Sequence, residues 1–179
     1  MSKRISIAVI LCAASLSFAL TGAALSQTKP PPVRIGTFDS RAIALAFWRS
    51  EEGVKQTNGI KEEYEKAKAA KDEKRIKQLE IEGPGLQVRM HQQVFSTGSV
   101  TDIIEKIKTA LPPIAKEAGV TLIVSKWQIA YKDPSVEYVD VTAQLVKLFN
   151  PSDEVLKMIE DLHKQEPIPI EALSMDPNK

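Results

Sequence analysis

Residues 100–149 constrain the fold of this chain most strongly. Apolar side chains recur there at spacings of 4, 3, 4, 3 and 4, which places them on one face of a helix: Val100, Ile104, Ile107, Leu111, Ile114 and Ala118. Gly119 follows this run, and glycine is favoured just past a helix C-terminus. Residues 120–124 are mostly β-branched and apolar, which predicts a buried strand. A helix leading directly into a strand indicates an α+β chain.

The N-terminal residues 1–26 have the pattern of an export signal. Lys3-Arg4 provides the positive start, a long apolar region follows, and Ala24-Leu25-Ser26 matches a cleavage site. We therefore expect cleavage before Gln27. An uncleaved membrane anchor is the alternative, because the apolar region approaches the about 20 residues that span a bilayer.

Composition excludes several classes of site and partner. The only cysteine, Cys12, lies in the signal segment and follows Leu11, where a lipoprotein would need a small residue. The mature chain would have 179 − 26 = 153 residues, enough for one domain, and no cysteine for a disulfide, a thiol nucleophile or a metal. Without Lys3-Arg4 it would carry 22 basic and 23 acidic residues, a net charge of −1. This balance does not predict binding to nucleic acid or to an anionic membrane surface.

The mature chain begins with a stiff linker and a strand. Residues 27–32 contain three consecutive prolines and predict an extended linker. Residues 33–38 alternate between apolar and other side chains, which predicts a short strand. Asp39-Ser40 is a helix cap, so a helix is expected from Arg41.

Residues 41–118 predict an antiparallel helical hairpin that protrudes as a coiled coil. A bend is expected at Gly53 and Asn58-Gly59, because glycine weakens a helix interior. Residues 60–82 carry a thin apolar stripe suited to a two-helix contact. Gly83-Pro84-Gly85 is the sharpest helix breaker, so the hairpin tip is predicted near 83–85.

The return arm of the hairpin is predicted to start near Leu86 and to be broken twice. Residues 96–99 are Ser, Thr, Gly and Ser, which interrupts the helix before the apolar face at 100–118 resumes it. Pro112-Pro113 predicts a kink near Leu111, since proline removes a backbone hydrogen bond and clashes with the preceding turn.

The C-terminal part completes the predicted β body, which comprises residues 33–40 and 119–149. Segments 128–131 and 136–139 are candidate strands around a turn, and Asp140 is expected to cap a helix at 141–149. Asn150-Pro151 starts a further helix, in a C-terminal extension of residues 150–179 whose tail is expected to be extended or disordered.

Both ends of this pattern carry residues that are similar to those of a known family. At the N-terminal end the stretch 35–41 reads Ile-Gly-Thr-Phe-Asp-Ser-Arg. The C-terminal part has Leu-Ile-Val at 122–124, Ile-Ala-Tyr at 129–131 and Val-Asp-Val-Thr at 139–142. The first stretch resembles the first strand and helix entry of the Skp (OmpH-like) family of periplasmic chaperones, and the C-terminal part is similar to the end of that family in residues and spacing. The resemblance covers residues 33–149, and its hairpin part matches in character only.

The resemblance implies a homotrimer in the periplasm. A small β body would assemble it, and three hairpins would surround a cavity that holds unfolded outer-membrane proteins. The residues implied for the body and its assembly core are Ile35, Phe38, Leu122, Val124, Ile129, Tyr131, Val139 and Val141. Familiar members are strongly basic with long arms, whereas this chain is nearly neutral and its hairpin is short and interrupted by glycine and proline. A smaller cavity or a different client set would follow.

The sequence shows no catalytic constellation and predicts no cofactor or metal. His91 and His163, the only histidines, lie far apart, and His91 has no carboxylate or second histidine at ligand spacing. Trp48 and Trp127 could contact clients, but burial between hairpin and body is the favoured interpretation. Four residues could contact clients or pack against the outgoing arm with equal weight: Leu86, Met90, Val94 and Phe95.

Two functions remain open on the sequence. The first is an ATP-independent holdase that shelters unfolded outer-membrane or envelope proteins between its hairpins, through weak and multivalent contacts. The second is an envelope scaffold or adaptor that uses the hairpin to dock one folded partner. An enzyme is the least favoured class.

Overall fold

The computed structural model describes residues 32–173, in which seven α-helices accompany three short strands. The predicted signal, and all of the proline linker except its last residue, lie outside the described residues. The elements run in the order β1 (Arg34–Phe38), α1 (Ser40–Trp48), α2 (Glu51–Ala70), α3 (Glu73–Phe95), α4 (Thr101–Ile107), α5 (Leu111–Ala118), β2 (Leu122–Ser125), β3 (Glu137–Asp140), α6 (Thr142–Lys147) and α7 (Asp153–His163). The predicted mixture of helix and sheet is confirmed.

The three strands form a parallel sheet in the order β2-β1-β3. Ile35 of β1 lies opposite Leu122 of β2 and Tyr138 of β3. Helices separate β1 from β2, and parallel strands require such long connections. Arg34 fastens one end of the sheet, because its guanidinium donates two hydrogen bonds of 2.9 Å to Glu137 and one of 2.8 Å to the Ala118 carbonyl.

One face of this sheet packs against the hydrophobic core, and the other face is partly exposed. Side chains alternate across a strand, so Ile123 and Val139 share one face, and both pack against the hydrophobic core. Ile35, Leu122 and Tyr138 share the opposite face, where Leu122 is 53% exposed and the other two are half-buried. Parallel sheets are normally covered on both faces. This sheet therefore leaves an apolar surface without cover from the described residues.

The core is centred on α1, which is buried nearly all round. Ala42, Ile43 and Phe47 are at most 1% exposed. The helix packs against α3, α6 and α7, which explains why a run of nine residues needs no polar face. The apolar face predicted at 100–118 also enters the core, with its buried members Val100, Ile107 and Ile114.

Caps at two consecutive helices place the first break earlier than predicted. The Asp39 carboxylate accepts from the Arg41 backbone N–H and caps α1, as expected. The break lies at Arg49–Ser50 rather than at Gly53 or Asn58-Gly59, because Ser50 is a second cap whose hydroxyl accepts from the Gly53 N–H. Gly53 sits in the first turn of α2, against the end of α1.

The predicted tip at 83–85 is wrong, because α3 runs through Gly83-Pro84-Gly85 without a break. The turn between α2 and α3 lies at Lys71, which adopts a left-handed conformation with φ of 55°. Asp72 then caps α3, its carboxylate accepting from the Arg75 N–H at 3.0 Å. The cost of an interior proline, about 3 kcal/mol, is offset by packing of α3 against α2 on both sides of Pro84.

The later breaks in the helical region agree with the sequence. α3 ends at Phe95 and α4 begins at Thr101, so residues 96–99 interrupt the helix as predicted. The prolines of Pro112-Pro113 occupy the start of α5 after a 3₁₀ turn, which satisfies the expected kink near Leu111. Gly119 ends α5 in the left-handed conformation, with φ of 64°.

The candidate strand at 128–131 is wrong. Ser125 accepts from the Trp127 N–H and starts a 3₁₀ turn at Lys126–Gln128, which leads the chain away from the sheet. The segments 128–131 and 136–139 therefore do not pair, and only the second overlaps a strand, β3.

The C-terminal extension folds onto the rest of the described chain. α7 is capped by Ser152 rather than by Asn150, which instead takes a left-handed φ of 48°. Val155 and Ile159 are buried against the core, next to α1. The tail beyond α7 then crosses the end of α3, where Ile168 N–H donates to the Phe95 carbonyl at 2.8 Å. This part of the tail is therefore hydrogen-bonded structure, and the described residues end in a 3₁₀ turn at Ile170–Leu173.

Candidate functional site

An apolar groove runs between α2 and α3. Side chains one helical turn apart supply its walls, since residues three or four apart share a helix face. The groove encloses about 300 Å³. Its lining residues are Thr57, Ile60, Lys61 and Tyr64 from α2, and Leu79, Gly83, Leu86, Gln87 and Met90 from α3. An apolar floor with polar groups at the margin suits a nonpolar side chain from another polypeptide.

Two features position the walls of this groove. Gly83 of α3 faces Ile60 of α2, whose side chain would lie in ordinary contact, 3.7 Å from a Cβ at position 83. Nearer the turn, Arg75 of α3 pairs with Glu63 of α2 and, at 3.1 Å, with Glu82 of its own helix. The hydrogen bond that Arg75 donates to the Glu63 carboxylate raises the pKa of Arg75. These exposed pairs add little free energy, and only the pair of Arg75 with Glu63 joins α3 to α2.

The structure separates the four predicted client-contact residues. Leu86 and Met90 line the groove, with Leu86 nearly buried and Met90 half-buried. Val94 is 8% exposed and belongs to the core, whereas Phe95 is 44% exposed at the end of α3. None of the four lies near the turn at Lys71, so their predicted location near the tip is wrong. Val94 packs inside the chain and Phe95 is accessible, and client contact by these residues stays a prediction.

The same helices expose further apolar side chains. Ile81 of α3 is 76% exposed and Val54 of α2 is 43% exposed. Single exposed apolar residues are normal on a protein surface. Together with the groove and Phe95, however, they give the α2–α3 pair several separate apolar contact points.

The base of the α2–α3 pair is fastened to the core through two polar side chains. Trp48 is 5% exposed, which confirms the predicted burial, and its indole N–H donates to Gln93 at 2.9 Å. Gln93 is 1% exposed and donates in turn to the Ser99 carbonyl and the Asp102 carboxylate, both at 2.8 Å. This chain of hydrogen bonds joins α1, α3 and the start of α4.

A buried carboxylate forms a second polar centre at the carboxyl end of β1. Asp39 accepts hydrogen bonds from Arg41, from Trp127 at 3.0 Å and from Lys126 at 2.9 Å. Burial raises the pKa of Asp39, but these hydrogen bonds outweigh it and lower the pKa from 3.8 to about 2. Asp39 is therefore ionised at neutral pH and fully paired.

The Asp39 cluster ties the C-terminal extension to the body. His163 Nε2, at the end of α7, lies 3.8 Å from the Asp39 carboxylate, and Arg41 donates to the Gln165 carbonyl at 2.8 Å. The sequence does not predict this cluster, because Asp39, Lys126 and His163 are far apart in the chain. Trp127 is half-buried within it, in contact with the Arg41 guanidinium at 4.8 Å from its ring centroid.

Within residues 32–173, no group of three or more His, Cys, Asp or Glu side chains could hold a metal ion. In the same range, no helix is both long and apolar enough to cross a membrane. His91 rests beside Phe95, with ring centroids 5.6 Å apart.

The residues predicted for the β body divide between three environments. Phe38 and Val141 are buried, at 7% and 0% exposure, and Val139 packs against the core. Ile35, Val124 and Ile129 are half-buried. Leu122 and Tyr131 are 53% and 74% exposed, so they are not core residues of the single chain. Leu122 points to the uncovered sheet face, and Tyr131 lies in the loop after the 3₁₀ turn rather than in a strand.

Comparison with known proteins identifies no relative: no family model, no curated protein and no solved structure matches this chain.

Proposed function

We propose that this chain is an ATP-independent holdase of the periplasm that binds unfolded outer-membrane or envelope proteins. The observation that carries the proposal is the apolar groove between α2 and α3, with exposed apolar side chains on the same two helices. The occupant would be a nonpolar side chain of an extended client segment. About 300 Å³ accommodates one or two such side chains, so each contact is weak and release needs no energy source.

Multivalency makes such weak contacts useful. Two linked binding sites act with a high effective concentration, so avidity can exceed the affinity of a single groove by about 10²–10⁴. A homotrimer would supply three grooves around one client, with each α2–α3 pair acting as a protruding hairpin.

The uncovered face of the parallel sheet supports the trimer. Leu122, Ile35 and Tyr138 present apolar surface there, and a second and third copy could cover it. The outer edges of β2 and β3 add backbone groups that this sheet leaves unpaired, and such edges favour association.

The test is size-exclusion light scattering of the chain, alone and with an outer-membrane β-barrel protein diluted from urea. The proposal expects a trimer that forms a soluble complex and keeps the client out of the pellet. Met90→Gln replaces a groove side chain by a polar one of similar size and should weaken holding. Met158→Gln on α7 is the matched control and should leave holding unchanged.

The opposite outcomes are equally specific. A monomer beside which the client precipitates would overturn the holdase proposal. Capture of a single folded envelope protein, with no protection of unfolded clients, would favour the adaptor function. If Met90→Gln and Met158→Gln weakened holding equally, the groove would not be the client site.

A further inference from the structure

We propose that the chain binds a neutral polyhydroxy compound, of the size of one sugar ring, at the carboxyl ends of β1 and β2. A hollow of about 190 Å³ opens there. It is separate from the α2–α3 groove, and the inference does not depend on the holdase proposal. In open sheets of parallel strands, ligands bind in the crevice outside the carboxyl ends of the strands.

The polar wall of this hollow is made of uncharged groups. It comprises five hydroxyl residues and one amide: Ser40, Thr97, Ser99, Thr101, Ser125 and Gln128. A hydroxyl both donates and accepts hydrogen bonds, as does an amide side chain, so the set matches the hydroxyls of a sugar or polyol. Among the described residues, no charged side chain lines the hollow, which disfavours a phosphate or a carboxylate ligand.

Ser40 supplies a hydroxyl to this wall from the first turn of α1. The residue is only 3% exposed, and it lines the hollow. In the part of the chain that the structure describes, every fully buried side-chain nitrogen or oxygen has a hydrogen-bond partner. A ligand in the hollow would therefore lie beside a hydroxyl that is largely shielded from bulk solvent, where a hydrogen bond is electrostatically stronger than it is in water.

The floor of the hollow is apolar. Its side chains belong to the hydrophobic core or pack against that core: Phe38, Val100, Ile104 and Ile123. A sugar ring has C–H groups on its faces and hydroxyls on its rim, so it fits an apolar floor with a hydroxylated wall. The volume corresponds to about six water molecules at roughly 30 Å³ each, close to what a six-membered ring with its hydroxyls displaces.

The wall formed by residues 97–99 is held by backbone contacts. Gly98 N–H donates to the Gln92 carbonyl at 3.0 Å, which folds the segment back on the end of α3. A Cβ at Gly98 would lie 2.8 Å from the same carbonyl, so only glycine allows this approach. Next to it, the Ser99 and Thr101 hydroxyls lie 2.9 Å apart.

Saturation-transfer difference NMR on the full chain tests the inference, because it detects ligands that bind weakly and exchange rapidly. The probes are D-glucose, D-galactose and myo-inositol, with glucose 6-phosphate as the charged comparison. We expect saturable transfer to at least one neutral probe and weaker transfer to the phosphorylated one. No saturable transfer to any neutral probe, or preferential binding of glucose 6-phosphate, would overturn the proposal.

Two variants locate the binding. Ser40→Ala should lower the affinity for the neutral probe roughly fivefold, as expected for the loss of one hydrogen bond. Gln128→Ala removes an exposed amide outside the core, so it keeps the test valid if Ser40→Ala proves unstable, and it too should weaken binding. Gln56→Ala, on the exposed surface of α2, is the matched control and should bind like the parent. If neither Ser40→Ala nor Gln128→Ala changed binding, the hollow would not be the site.

Discussion

The indole N–H of Trp48 donates a hydrogen bond of 2.9 Å to the side-chain oxygen of Gln93. The two residues are 5% and 1% exposed. The amide nitrogen of Gln93 is also satisfied, by the Ser99 carbonyl and by Asp102. One buried amide thereby joins the long helix α3 to the central helix α1, which makes it a sensitive point for the stability of the whole unit.

Gln93→Met should lower the free energy of unfolding by about 2 kcal/mol. The substitution keeps the volume but leaves the Trp48 N–H buried without an acceptor, which costs about 1–3 kcal/mol. Urea unfolding followed by Trp fluorescence measures the loss. Gln78→Met, on the exposed face of the same helix, should change stability by less than about 0.5 kcal/mol. Equal effects of the two variants would contradict the importance of the Trp48–Gln93 bond.

Two glycines of α2 should respond in opposite directions to alanine. A Cβ at Gly53 would overlap the Phe47 carbonyl and lie 2.7 Å from Trp48 Cα, so Gly53→Ala must push α2 away from α1. A Cβ at Gly59 meets nothing within 4 Å. Gly59→Ala should therefore raise stability by about 0.5–1 kcal/mol, through better helix propensity.

Thermal unfolding of the two alanine variants compares these effects directly. We expect a lower midpoint than the parent for Gly53→Ala and a higher one for Gly59→Ala. Stabilisation by Gly53→Ala would show that the α1–α2 junction is looser than these contacts indicate.

Asp39 should make stability fall in strong acid. Its pKa is lowered from 3.8 to about 2, so its contribution is fully present above about pH 4 and is lost as pH falls through about 2. Asp39→Asn should cost about 3 kcal/mol at pH 7, because it leaves the buried Arg41 without its counter-charge. The stability difference between parent and variant should therefore narrow from pH 4 to pH 2.

Urea unfolding at several pH values measures this difference. Asp153→Asn is the control, since this exposed carboxylate in the first turn of α7 contributes only about 0.3–1 kcal/mol. A stability difference between parent and Asp39→Asn that stayed constant down to pH 2 would contradict the assigned pKa.

Local signals predicted much of the fold. Asp39 capping α1, the interruption at 96–99, the prolines at the start of α5 and the glycine that ends it all depend on neighbouring residues only. The helical face at 100–118 could also be predicted, because apolar residues spaced three and four apart indicate a helix that is buried on one side. Nothing in these patterns requires knowledge of the rest of the chain.

The errors arise where tertiary contacts override local preference. Gly83-Pro84-Gly85 stays helical because α3 packs on α2 to both sides of it, and no local pattern reports that packing. The turn that the structure shows, at Lys71, contains neither glycine nor proline. Its one local signal is Asp72, a residue type that caps helices and that stands just before the apolar residues Ile76 and Leu79. The Asp39 cluster and the hollow beside Ser40 join residues far apart in sequence, so they became visible only in the folded chain.

The turn at Lys71 offers a direct test of where α2 ends. A non-glycine residue in the left-handed region carries a steric cost, so Lys71→Gly should raise the free energy of unfolding by about 0.5–1 kcal/mol. Lys66→Gly, inside α2, should lower it by about 1 kcal/mol. Destabilisation by both substitutions, measured in urea, would show that Lys71 is helical and that the turn lies elsewhere.

The charge balance of the α2–α3 pair predicts how client binding depends on salt. Residues 51–95 contain nine Lys or Arg and nine Asp or Glu, so the net charge is 9 − 9 = 0. Attraction between charged surfaces is screened within about 10 Å at 0.1 M salt, whereas burial of apolar side chains is not. If the holdase proposal holds, affinity for an unfolded client should change less than about twofold between about 50 mM and 300 mM NaCl.

A charge variant provides the contrast for this measurement. Glu62 and Glu65 are exposed on α2, and Glu62→Lys with Glu65→Lys would raise the net charge of the pair by four. That variant should bind an acidic client more tightly at low salt and lose the gain at 300 mM, because its added affinity is electrostatic. Fluorescence anisotropy of a labelled client measures the affinity of the parent and of the variant under the same conditions. A parent protein as salt-sensitive as the variant would show that charge, rather than the apolar groove, captures the client.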